Sequence, residues 1–198
     1  MKKAVAFILL IVTVTLLCAC GSNVKVKHGS TEGNIYTNES IGLKFTKPDK
    51  WTFATESEIA NIMNIAAEEF DIEEMLEQGK TATIVEFLAM DRTTGNNVSM
   101  NFENLEKSNS TLISEKKYIE YSKEKMQEQF KSHGYEFGEI KDAKLGNVNF
   151  KTFEATCKYN GVSMKQQMYI KKYGSYMAVI TITVVNGASV SDVENMFS

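Results

Sequence analysis

The hydrophobic positions fall into blocks of different period. Ile41, Leu43 and Phe45 alternate with Gly42 and Lys44 after a short Ile35-Tyr36-Thr37 run, so a strand pair is predicted before Pro48, with Trp51-Thr52-Phe53 beyond it. Ile59, Ile62, Met63, Ala66 and Phe70 then recur at helical spacing behind a Thr55-x-x-Glu58 capping box, which predicts a helix over about 56–70. Asp71-x-x-Glu74, with Met75 and Leu76 apolar and Gly79 after them, predicts a further short helical stretch.

Thr81 to Asp91 is apolar on both alternations, as an interior strand is. Val98, Met100 and Phe102 alternate with polar residues, and the Thr93–Asn97 loop between the two predicts an antiparallel hairpin. Ser114 is placed to cap a helix reaching about Ser132, with Ile113 and Tyr118 as a staple and Ile119, Met126 and Phe130 as its buried stripe. Val148–Tyr159, Val162–Lys171 and Ser175–Val185 read as a three-stranded meander turned at Asn160-Gly161 and Tyr173-Gly174. A two-residue first turn sets Cys157 opposite Met164, Ala155 opposite Gln166 and Phe153 opposite Met168. One meander face is then apolar. The other is polar on its first two strands and apolar on the third, through Ala178, Ile180, Ile182 and Val184. Ser189 or Ser191 caps a last short helix carrying Val190, Val193 and Phe197. Together these elements predict an α+β domain, a three-layer α/β/α sandwich around a largely antiparallel sheet.

The first twenty residues differ from the rest. Met1-Lys2-Lys3 precedes an apolar run from Ala4 to Leu17, shorter than the roughly 20 residues of a comfortable membrane span and without a charged stop behind it. Leu17-Cys18-Ala19-Cys20 resembles the bacterial lipobox, so residues 1–19 are expected to be a lipoprotein signal peptide and Cys20 the lipidated residue. Cys18 fits less well, because Leu17 would stand where a small side chain is required. Residues 20–34 are small, polar and aperiodic, and are expected to be the lipidated cysteine and a flexible tether. The single globular domain is then 35–198, held on the extracytoplasmic side of the cell membrane by lipid.

Composition narrows the chemistry. Of 198 residues, 22 are Lys or Arg and 25 are Asp or Glu, with no block of one sign, so nothing marks a nucleic-acid surface. Once Cys18 is removed and Cys20 alkylated, Cys157 is left without an intramolecular disulfide partner. Nucleophile elbows and glycine-rich phosphate loops are absent from the sequence. Neither His28, in the tether, nor His133, at a helix end, has the companions a catalytic or metal site needs, and no enzyme activity, cofactor or metal is expected. Glu68-Glu69 and Glu73-Glu74 sit on polar helix faces and are read as solvated charge. Glu86, on the interior strand, requires a partner: a Lys, a Tyr hydroxyl or solvent at an opening. Cys157, Met164 and Met168 share a sheet face that would suit a soft metal, but packing accounts for them more simply. Lys158, Lys165, Tyr169 and Lys171 form the best candidate surface for a partner.

The order of elements, with Gly42-Leu43-Lys44-Phe45, Pro48 and Trp51 at its start, resembles the PsbP-like superfamily over residues 35–198. That superfamily includes an extrinsic photosystem II subunit, a Ran-binding nuclear import factor and many bacterial lipoproteins. The resemblance implies an antiparallel sheet between helical layers and a docking or assembly role with no catalytic residues. Metal-binding residues of the plant members have no His-containing match here, and none is transferred. The expected function is therefore binding to an envelope or cell-surface protein, with small-ligand or metal binding as the alternative.

Overall fold

A computed structural model describes residues 26–70, 83–107, 110–130, 134–159 and 161–198. The expected signal peptide, Cys20, the helical stretch expected after Asp71, and His133 lie outside the described residues.

Two antiparallel sheets make the architecture. β1 (Ser30–Glu32), β2 (Ile35–Asn38) and β3 (Leu43–Thr46) form the smaller one in sequence order. The larger sheet contains β4 (Thr52–Phe53), β5 (Thr83–Met90), β6 (Asn97–Asn104), β7 (Glu136–Phe137), β8 (Lys141–Leu145), β9 (Val148–Tyr159), β10 (Val162–Tyr173) and β11 (Tyr176–Val185). Its order is β4-β5-β6-β11-β10-β9-β7, with β8 also pairing along β9. The hairpin and the meander expected from sequence both form. Cys157 pairs with Met164, Ala155 with Gln166 and Phe153 with Met168, the predicted register. The two units are fused by β11 on β6, where Ile180 faces Met100.

Two helices begin at capping side chains, whereas Ser189, expected as a cap, stands before the last helix without a side-chain capping bond. In α1 (Glu56–Phe70) the Thr55 N–H donates to Glu58 at 2.9 Å and the Glu58 N–H returns to Thr55 Oγ1 at 3.3 Å, closing the capping box. Ser114 caps α2 (Glu115–Gln129) by accepting from the Lys117 N–H. α3 (Val190–Glu194) is the short C-terminal helix.

Each face of the large sheet has a different cover. Tyr118, Ile119, Met126 and Phe130, three of them on α2, pack with Phe153, Ala155, Met168, Met177 and Val179 on one side. On the other, Met100, Phe102, Ala178, Ile180 and Ile182 meet Tyr36, Leu43 and Phe45 of the small sheet together with Val193 and Phe197. The fold is α+β and mostly antiparallel. Where a second helical layer was expected, the small sheet and the C-terminal segment cover that face.

The first described strand also departs from expectation. Residues 30–32 belong to β1, paired as Ser30 with Thr37, Thr31 with Tyr36 and Glu32 with Ile35, although the sequence assigned 20–34 to a tether. β1 is exposed at all three positions, so it carries no hydrophobic alternation to reveal it. Backbone pairing and polar contacts hold it instead.

Candidate functional site

The meander's far end opens into a cleft of about 410 Å³ lined in part by Glu136, Thr156, Cys157, Lys158, Met164 and Lys165. It arises where β7, β9, β10 and the turn after β11 diverge. Lys158 is exposed and has no carboxylate partner among the described residues, whereas Lys165 Nζ lies 3.0 Å from Glu154 Oε2 on the paired strand.

Two of the four residues expected to form one partner surface thus meet at this cleft. Tyr169 does not. It is 1% exposed, its ring meets Phe150 edge-on at 5.9 Å, and its hydroxyl donates to the Glu194 carboxylate. Burial and that carboxylate together push the hydroxyl well above the ordinary tyrosine range. Alternation placed Tyr169 in solvent because β9 and β10 are polar on this face, but α3 folds back over it. Lys171 lies beyond Tyr169, donating to the Asn149 carbonyl at 3.0 Å, so it is separated from the cleft.

The sulfur-bearing face is also divided. Cys157 clusters with Met164 and Val185, while Met168 belongs to the core under α2. Burial pushes the Cys157 thiol up, the Tyr135 hydroxyl beside it pulling the other way. A protonated thiol is a poor metal ligand. Among the described residues no three His, Cys, Asp or Glu side chains gather as a metal site. Replacing Cys157 with Ser is expected to cost about 1–3 kcal/mol in urea unfolding, since the hydroxyl would replace a buried thiol. An unchanged midpoint would mean that the hydroxyl is solvated through the cleft.

A second constellation surrounds Glu86, which lies at the β-bulge between Val85 and Phe87. Its side chain is 2% exposed. Oε2 accepts from the Gly29 N–H at 2.7 Å, the Tyr36 hydroxyl at 2.6 Å and Asn38 Nδ2 at 3.3 Å. His28 Nδ1 stands 2.9 Å from Oε1, with the imidazole side chain 72% exposed. Burial, reinforced by the bond to Glu86, pushes the Tyr36 hydroxyl far above its usual range. Of the three partners open for Glu86 from sequence, a tyrosine hydroxyl is present. His28, expected to lie in a tether without a role, keeps a largely exposed imidazole and also stands beside this carboxylate. No pattern in residues 26–34 signalled that, because the contact joins segments about 57 residues apart.

No family model matches the chain, and no curated protein matches it significantly. A solved structure from Bacteroides thetaiotaomicron is similar at 12% identity and a TM-score of 0.42, covering 83% of this chain and 46% of that one. This chain therefore spans about half that protein's length. LpqN, described as involved in cell envelope biogenesis of Mycobacterium tuberculosis, is similar at 11% identity and a TM-score of 0.41, over 78% of this chain and 77% of its own. No helix among the described residues is long and apolar enough to cross a membrane.

Proposed function

We propose that this chain is a lipid-anchored, extracytoplasmic docking module of the bacterial envelope, without enzymatic activity, that receives an acidic segment of an envelope protein in the cleft beside Lys158. The cleft is the observation that carries this reading. An exposed ammonium at its rim, with no carboxylate partner among the described residues, attracts a carboxylate, and the aliphatic stems of Lys158 and Lys165 add contact area beside it. The sequence supports the anchor through the lipobox-like Leu17-Cys18-Ala19-Cys20. Resemblance to PsbP-like domains favours docking over catalysis.

A photo-crosslinking amino acid at Ser163, the register partner of Lys158, tests it in intact cells. One envelope-protein adduct is expected, falling at least about tenfold when Lys158 and Lys165 are reversed to Glu and unchanged when Lys171 is, as expected for a contact governed by local charge. No adduct, or one indifferent to the reversal, would count against the reading.

The volume supports a second reading, because small-molecule sites commonly occupy about 300–1,000 Å³. A rise in melting temperature with small carboxylate-bearing ligands, and none with acidic peptides, would select it.

A further inference from the structure

From Lys27 to Asn34 the sequence Lys-His-Gly-Ser-Thr-Glu-Gly-Asn has no apolar side chain, yet the segment is seated at several points. Val26 packs against the core at its start. The Lys27 N–H donates to Ser40 Oγ at 3.2 Å, and the Lys27 carbonyl accepts from Asn38 Nδ2 at 3.0 Å. The Gly29 N–H reaches the Glu86 carboxylate, and β1 then pairs with β2. Gly29 crosses directly over the Tyr36 ring: a Cβ added there would stand 2.4 Å from a ring carbon. Tyr36 is 1% exposed and has no room to yield.

We propose that residues 27–33 are a strap clipped onto Glu86, and that its attachment sets how far the domain stands from the bilayer. This rests on the reading of Cys20 as the lipid anchor. Six Cα steps separate Cys20 from Val26, so whatever their conformation they span at most about 22 Å. With the strap lifted as far as Asn34 the span becomes fourteen steps, or about 50 Å. Clipped, the domain is held close to the headgroups. Unclipped, its reach more than doubles.

Two features make the strap removable. The side chains of residues 27–33 stay outside the core, so lifting the strap frees only the half-buried Val26 and uncovers the part of the Tyr36 ring beneath Gly29. After it leaves, Glu86 Oε2 still accepts from the Tyr36 hydroxyl and from Asn38, so the buried carboxylate keeps donors in both states. The Glu86, Tyr36 and Asn38 arrangement is therefore a catch that does not collapse when it is empty.

Gly29→Ala is the release variant, because its methyl group clashes with Tyr36 while leaving every core residue in place. The full-length acylated protein would be reconstituted into phosphatidylethanolamine–phosphatidylglycerol vesicles with acceptor-labelled headgroups and a donor dye on Lys107→Cys, an exposed site. Energy transfer is expected to fall in Gly29→Ala, and trypsin cleavage after Lys27 to rise at least about tenfold as local opening becomes more frequent. The emission of Trp51, 3% exposed, reports that the fold is intact. If Gly29→Ala melts early, Glu86→Gln, which removes the charge and keeps an acceptor, is expected to move both readouts the same way. Equal cleavage and equal transfer in wild type and variants would overturn the strap. Release from the vesicles of wild type and variant alike, with cleavage still accelerated, would overturn the stand-off role together with the anchor, and leave the clip itself standing.

Discussion

Phe45→Ala is expected to lower the unfolding free energy by about 3–5 kcal/mol, the range for truncating a fully buried phenylalanine. Phe45 is 0% exposed. Its ring stacks on Phe87 of β5 at 5.1 Å, tilts against Phe197 at 4.9 Å and meets Phe53 edge-on at 6.3 Å. One side chain thus joins the small sheet, the large sheet and the C-terminal segment. A cavity there has walls on three separate elements, and none can close it without leaving the others. Since domains of this size have about 5–15 kcal/mol in total, the variant would be marginal. Urea unfolding checks this: the midpoint should fall with the slope unchanged. A wild-type midpoint would show that the small sheet contributes little to the cooperative core.

Glu86→Leu is expected to cost about 2–4 kcal/mol, because it takes the acceptor from the Tyr36 hydroxyl, the Asn38 amide and the Gly29 N–H together. Asn38 Nδ2 and the Tyr36 hydroxyl would retain each other at 3.2 Å, which limits the loss. Tyr36→Phe in the Glu86→Leu background should cost less than in wild type, since the hydroxyl has already lost its carboxylate. Coupling below about 0.5 kcal/mol in that double-mutant cycle would show that the two groups do not act as a unit.

What was legible in the sequence was local. The Thr55–Glu58 capping box, the Ser114 cap, the β5–β6 hairpin and the β9–β10 register follow from residues within a few positions of one another, where period and turn chemistry operate. Pairing of β6 with β11 was not legible, because alternation fixes which face of a strand is buried but not which distant strand its edge meets. Tyr169 was misplaced for a related reason: alternation along β10 reports the strand's own faces but not that α3 returns over one of them. At Glu86 the cost of a buried carboxylate showed that partners must exist, and tyrosine was among those named. His28 and Gly29 were missed because an exposed edge segment bound through its backbone leaves no hydrophobic trace.

Residues 196–198 are zipped onto β3: the Lys44 and Ser198 backbones exchange hydrogen bonds at 3.0 Å, and the Thr46 N–H donates to the Met196 carbonyl at 2.8 Å. The hairpin made first on the ribosome therefore completes its packing with the residues made about 150 positions later. At roughly 5–20 residues per second, it waits on the order of 10–30 s for its last neighbour. Contacts of such sequence separation slow folding, so β3 cannot complete its packing before residues 196–198 are made. Until then Phe45 lacks one wall of its socket, which leaves apolar surface on the emerging polypeptide for a holding chaperone to cover.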